Sequence, residues 1–195
     1  MNPPTRQAED SALRNPHSAL AFVALGSNLG DSRALVLAAL ERLESLSAAP
    51  LLRSSLWQST PVDCPPGSPL FVNAVAGLTP LPGETPESLL ARLQALEQEF
   101  GRPPKQTLNE ARPLDLDLIA FGNERRNAPP LVLPHPRAHL RRFVLQPLSE
   151  IAPELIFPGQ TNSVASLLAS LSSTEVLTRL GSQVRDAPGR GRIIS

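Results

Sequence analysis

Residues 112–122 read RPLDLDLIAFG. Leucine and isoleucine alternate with aspartate at the period of a half-buried β-strand, although strands are depleted in Asp. Side chains alternate between the two faces of a strand, so Asp115 and Asp117 leave one face while Leu114, Leu116 and Leu118 leave the other. The two Cβ atoms then lie roughly 6–7 Å apart, close enough for bare carboxylates to repel. A solvated strand face, where water and salt screen the repulsion, is the ordinary explanation. The sharper one is a hard divalent cation. Mg²⁺ takes oxygen ligands, often one or two carboxylates together with substrate phosphates, and a pair of such ions bridges successive phosphates.

The neighbours of this strand favour the cation. Arg102, Lys105 and Arg112 precede it, and Arg137, Arg141 and Arg142 follow it with His135 and His139. Lys105 is the single lysine, and the chain as a whole is neutral. Acids bracketed by bases in a neutral protein suit a metal–polyphosphate complex, in which arginines meet phosphate oxygens bidentately. An exposed basic loop that only aids solubility is the competing explanation; the combination of acids and bases shifts the expectation toward a nucleoside triphosphate. LGSNLGD (25–31) is neither a Walker loop nor a dinucleotide fingerprint. It reads as a tight strand-to-helix turn capped by Asp31. His135 and His139 have the i, i+4 spacing of zinc ligands on a helix, but no cysteine or Glu-rich motif supports zinc. Asn73 interrupts the apolar run LFVNAV. A buried amide needs partners, which either a ligand edge or the backbone supplies.

Working outward, 195 residues with 41% hydrophobic and 18% charged content suit one globular domain with some excess. Zero net charge gives no global field toward nucleic acid or an anionic membrane. A lone cysteine, Cys64, excludes a disulfide framework. With no signal-like leader and no run of ~18 apolar residues, a cytoplasmic, non-membrane protein is expected. Residues 1–18 read as a flexible polar tail, 19–160 as the functional domain, and 161–195 as a C-terminal helix and flexible tail. Within the domain, 19–27 reads as a strand and 31–47 as a helix. Strands are expected over 51–60 and 70–80, flanking a Pro/Gly-rich loop. A helix from Pro86 stops at Gly101, and a basic loop (102–113) leads into the Asp strand. The order β-α-β-β-α-β matches the ferredoxin-like α+β pattern: an antiparallel sheet with helices packed on one face, plus an appended strand and C-terminal helices.

Taken together, ALGSNLGD, LFVNAV, the basic loop before LDLDLIAFG, and LPHPRAHLRRFVLQPLSEIAPE resemble the 6-hydroxymethyl-7,8-dihydropterin pyrophosphokinases of folate synthesis. The resemblance runs from about Ala21 to Pro158. It implies a monomeric enzyme that moves the pyrophosphoryl group of Mg-ATP to the pterin hydroxymethyl group and releases AMP. It further implies that Asp115 and Asp117 hold two Mg²⁺ ions and that Arg102 and Arg112 act on the transferring phosphates. Glu97, Lys105, Leu118, His135 and Arg141 fall on positions that bind ATP, together with Arg102 and Arg112. Gly26, Ser59, Thr60, Val62, Asn73 and Phe143 fall on positions that bind the pterin. Asn109, Pro104, Leu108 and Pro136 depart from residues common in the family. A Mg²⁺-dependent phosphohydrolase and a non-catalytic ferredoxin-like binding module are the competing readings.

Overall fold

The computed structural model describes residues 19–102 and 111–181. In chain order the core elements are β1 (Ala21–Ser27), α1 (Ser32–Leu43), β2 (Leu52–Arg53), β3 (Trp57–Ser59), β4 (Phe71–Leu78), α2 (Pro86–Glu99) and β5 (Asp115–Phe121). A separate hairpin, β6 (Arg126–Ala128) and β7 (Leu131–Leu133), leads to α3 (Arg142–Ile151), α4 (Val164–Ser170) and β8 (Leu177–Arg179). The main sheet has the order β5-β1-β4-β3-β8, every neighbouring pair antiparallel, with β2 also paired to β4. The first four strands of that path have the ferredoxin-like order expected of β-α-β-β-α-β.

Local chemistry sets the helix ends. Asp31 accepts from the Ala34 N–H at 3.0 Å and caps α1. Thr85 and Ser88 form a reciprocal capping box at the start of α2, where Pro86 occupies the first turn at no hydrogen-bonding cost. Gly101, at φ +80°, ends that helix in the left-handed region.

The expected helix layer is formed by α1 and α2, whose Val36, Leu40, Leu43, Leu89, Leu93 and Leu96 pack on one face of the sheet. The opposite face is also covered. Phe22, Val75 and Ile119 project there and are buried by α3 and α4. Burial on both faces explains why β1 reads as a continuous apolar run rather than an alternating one.

Two further differences from the sequence reading have physical causes. The strand expected over 51–60 is two short strands, interrupted at Ser54. There the Ser54 N–H donates to the Val75 carbonyl (3.0 Å) while the Ser54 hydroxyl accepts from the Val75 N–H (2.9 Å). A side chain thus replaces one main-chain partner in the ladder. β8 lies beyond the boundary drawn at 160 yet joins the main sheet, pairing Leu177 with Ser59 and Arg179 with Trp57.

Candidate active site

The two aspartates emerge on the face opposite α1 and α2. Leu114, Leu116 and Leu118 are buried in the core on the helix side, while Asp115 and Asp117 stay partly open on the other. β1 pairs with β5 so that Gly26 lies opposite Asp115 and Ala24 opposite Asp117. On its other edge β1 places Gly26 opposite Asn73 of β4. Asn73, Gly26 and Asp115 therefore form one row across three strands, with the middle side chain missing. A Cβ at Gly26 would sit 3.6 Å from Asn73 Oδ1 and 4.0 Å from Asp115 Cβ, in the space between them.

That space is part of a pocket. Its lining brings together all six residues assigned to the pterin from the sequence: Gly26, Ser59, Thr60, Val62, Asn73 and Phe143. Arg112, Asp115, Asp117 and Arg141 line it as well. Asn73 is buried and donates from Nδ2 to Ser59 Oγ at 2.9 Å and to the Trp57 carbonyl at 3.4 Å, which fixes its amide plane. The Arg141 guanidinium lies over the Phe143 ring, 5.3 Å from its centroid. Phe71 and Cys64, which the sequence reading did not assign to a ligand, also line the pocket. Phe71 precedes Asn73 by two positions and so shares its strand face, a period-2 signal present in the sequence.

The electrostatics centre on Asp115. Arg102 Nη1 lies 2.9 Å and Arg112 Nη1 3.5 Å from Asp115 Oδ1. Burial, and then the neighbouring Asp117 charge, pushes the Asp115 carboxyl above its ordinary range, against the pull of both arginines. Arg112 is held at the strand entry by Asn28, whose Oδ1 accepts from the Arg112 N–H at 2.9 Å.

Glu97 does not reach the pocket. It lies buried on α2 beneath β5, where it accepts from the Leu116 N–H at 2.7 Å and from the Arg102 guanidinium. Burial drives its carboxyl up to about 7 despite both donors. Its place is behind Arg102, holding that arginine beside Asp115. Leu118 is likewise absent from the pocket, because its side chain belongs to the core on the helix face. His135 sits after β7, its N–H donating to the Ile119 carbonyl at 2.8 Å, and it lines a neighbouring recess with Arg125, Asn127 and His139. Burial, Arg141 and Arg137 hold its imidazole down to about 4, so it is neutral at physiological pH. Lys105 lies outside the described residues, as do Pro104, Leu108 and Asn109.

Asp115 and Asp117 supply hard oxygen donors on one face, and the repulsion between them is a charge that a divalent cation relieves. The donor set fits Mg²⁺. Among the described residues no cluster of three or more His, Cys, Asp or Glu side chains is placed to hold a metal.

Residues 22–153 match the model of the 7,8-dihydro-6-hydroxymethylpterin-pyrophosphokinase family. The chain is 41% identical over 138 residues to the 2-amino-4-hydroxy-6-hydroxymethyldihydropteridine pyrophosphokinase of Pseudomonas aeruginosa, covering 70% of this chain and 83% of that one. The Haemophilus influenzae protein of the same name is 41% identical over 141 residues, covering 71% and 85%. The folic acid synthesis protein fol1 of Pneumocystis carinii is 35% identical over 156 residues, but the chain spans only 20% of that longer protein. Among solved structures, wild-type HPPK-DHPS of Plasmodium falciparum with pteroate shares the fold at a TM-score of 0.60 and 13% identity. That match covers 77% of this chain and 44% of that one. With two thirds of its length matched by the family model, and the pocket built from the segments that carry the match, the chain belongs to the 7,8-dihydro-6-hydroxymethylpterin-pyrophosphokinase family.

Proposed function

We propose that Asp115 and Asp117 are the cation-binding residues, and the lined pocket the pterin site, of this pyrophosphokinase. As a member of its family the chain is a diphosphotransferase of folate biosynthesis, using ATP and 6-hydroxymethyl-7,8-dihydropterin. The observation that carries the residue assignment is the row Asn73–Gly26–Asp115. It sets a buried amide, an opening and a carboxylate side by side across the sheet.

The pterin ring enters between Phe71 and Phe143, with Asn73 and the neighbouring Ser59–Val62 segment reading its edge. Aromatic walls with one fixed amide suit a flat heterocycle bearing donors and acceptors. The ring's hydroxymethyl group then points along the row toward Asp115. Two Mg²⁺ ions held by the aspartates would neutralise phosphate charge and bring the polyphosphate to the acceptor oxygen. In the transfer, that oxygen bonds to the β-phosphorus of ATP as the bond from β-phosphorus to the α–β bridging oxygen breaks. AMP leaves, and the hydroxyl proton passes to solvent.

The protein contributes position and charge rather than covalent chemistry. Arg112 and Arg102, now paired with Asp115, are placed to meet phosphate oxygens when a cation takes over that carboxylate. Arg141 stands at the pocket wall as a third guanidinium. His135, Lys105 and the main chain of Leu118 complete the ATP side, and Glu97 orients Arg102. No helix among the described residues is long and apolar enough to cross a membrane; a monomeric cytoplasmic enzyme that binds no nucleic acid is the setting proposed.

Acceptor dependence is the test. AMP is released from ATP only when the hydroxymethyl pterin is present; ATP consumption at the same rate without it would make the protein a phosphohydrolase.

A further inference from the structure

The family match ends at residue 153, but the pocket is tied together from beyond it. α3 begins at Arg142, and its N-cap residue, Arg141, makes no side-chain capping hydrogen bond. The first N–H groups of a helix need acceptors, and here one comes from far along the chain. Glu175 Oε2 accepts from the Phe143 N–H at 3.0 Å, and the Ser173 hydroxyl in turn accepts from the Glu175 N–H at 3.2 Å. The next residue holds the other wall. The Thr60 N–H donates to the Val176 carbonyl (3.2 Å), and the Val176 N–H donates to Thr60 Oγ1 (3.3 Å). β8 follows at once and pairs with β3, placing Leu177 opposite Ser59.

Adjacent residues of one segment thus grip both sides of the pocket. Glu175 fixes the helix start that carries Arg141 and Phe143, and Val176 with β8 fixes the strand end that carries Ser59 and Thr60. We propose that residues 173–179 are a positioning strap that sets the width of the pterin slot, with Glu175 as its principal side chain. The proposal rests on the reading of the pocket as the pterin site. A carboxylate acceptor serves this place well, because it both satisfies the orphan N–H and complements the helix dipole. Its hydrogen bonds go to Phe143 and Thr60 themselves and reach Arg141 only through the turn, so its effect falls first on the pterin.

Steady-state kinetics on the full chain distinguish the strap from a purely structural role. Glu175→Ala is expected to raise KM for the hydroxymethyl pterin about tenfold, with KM for ATP less changed and the melting temperature lowered only by roughly the few degrees that loss of one helix cap costs. Glu175→Gln keeps an oxygen acceptor and restores most of the pterin KM. Asn73→Ala, measured beside them, reports on the pocket itself. If Asn73→Ala raises the pterin KM and Glu175→Ala does not, the strap is overturned while the pocket stands. If neither changes it, the pterin assignment fails and the strap with it. A Glu175→Ala protein whose KM for ATP rises as much as its KM for the pterin would make Glu175 a structural residue only, and overturn the proposal.

Discussion

Three carboxylates near β5 have three environments and three roles. Asp117 faces the pocket, Asp115 faces it while paired with two arginines, and Glu97 is sealed behind them under the sheet. Glu97 keeps its proton up to about 7, well above its ordinary value, because burial outweighs the Leu116 N–H and Arg102. A carboxyl raised in this way adds stability below its unfolded value, and the contribution is lost as pH rises through about 7. Wild type should therefore lose more urea-denaturation midpoint between pH 5 and pH 8 than Glu97→Gln does, an expectation checked by parallel unfolding curves. His135 has the opposite sign. Its imidazole is held down to about 4, so its contribution is present above the unfolded value near 6.5 and fades as pH falls toward about 4. Between pH 7 and pH 5 wild type should lose about 1 kcal/mol more than His135→Gln, a figure discounted for partial exposure. Equal losses in the two proteins would show that His135 is not desolvated.

At the scale of elements, the central strand β1 is the device that makes the site. Its two glycine-free thirds are packed on both faces, and at Gly26 it leaves the gap between Asn73 and Asp115. Gly26→Ala meets only ordinary van der Waals neighbours, so the fold should hold while the added methyl intrudes on the pocket. The expected result is a KM for the pterin raised about tenfold at nearly unchanged melting temperature. Gly77 on β4 provides the contrast. A Cβ there would lie 3.2 Å from Cε1 of the buried Phe22 and 3.3 Å from Cβ of Leu52 on β2, tighter than ordinary contact. Gly77→Ala should cost about 1–3 kcal/mol of unfolding free energy with substrate affinities kept. The glycine in each case has the same residue type and the same strand context; what the missing Cβ faces decides the outcome.

Over the whole molecule, the parts legible in sequence were those whose signal is local. The Asp strand, the capped helices and the order of elements follow from period, caps and turns, and the segments that resemble the family meet at one pocket. What escaped depends on long-range partners. β8 is three residues with only Leu177 half-buried, and its pairing with β3 leaves no periodic trace. α3 carries Pro147 inside it, and its capping acceptor lies far along the chain at Glu175. Glu97 is expected at an ATP-binding position by resemblance, and its bonds to the Leu116 N–H and the Arg102 guanidinium follow only from the packing of α2 on β5. Division of the sheet into a helix-packed side and a side with a pocket is what sends the leucines of one alternating strand to the core and its aspartates to the pocket. The most direct test compares wild type with Asp117→Asn for AMP release from Mg-ATP and the hydroxymethyl pterin. Wild type should release AMP in step with the pterin diphosphate. Asp117→Asn should fall by about a hundredfold or more, with an unchanged circular dichroism spectrum and melting temperature. Near wild-type AMP release by Asp117→Asn would contradict the assignment of the carboxylate pair.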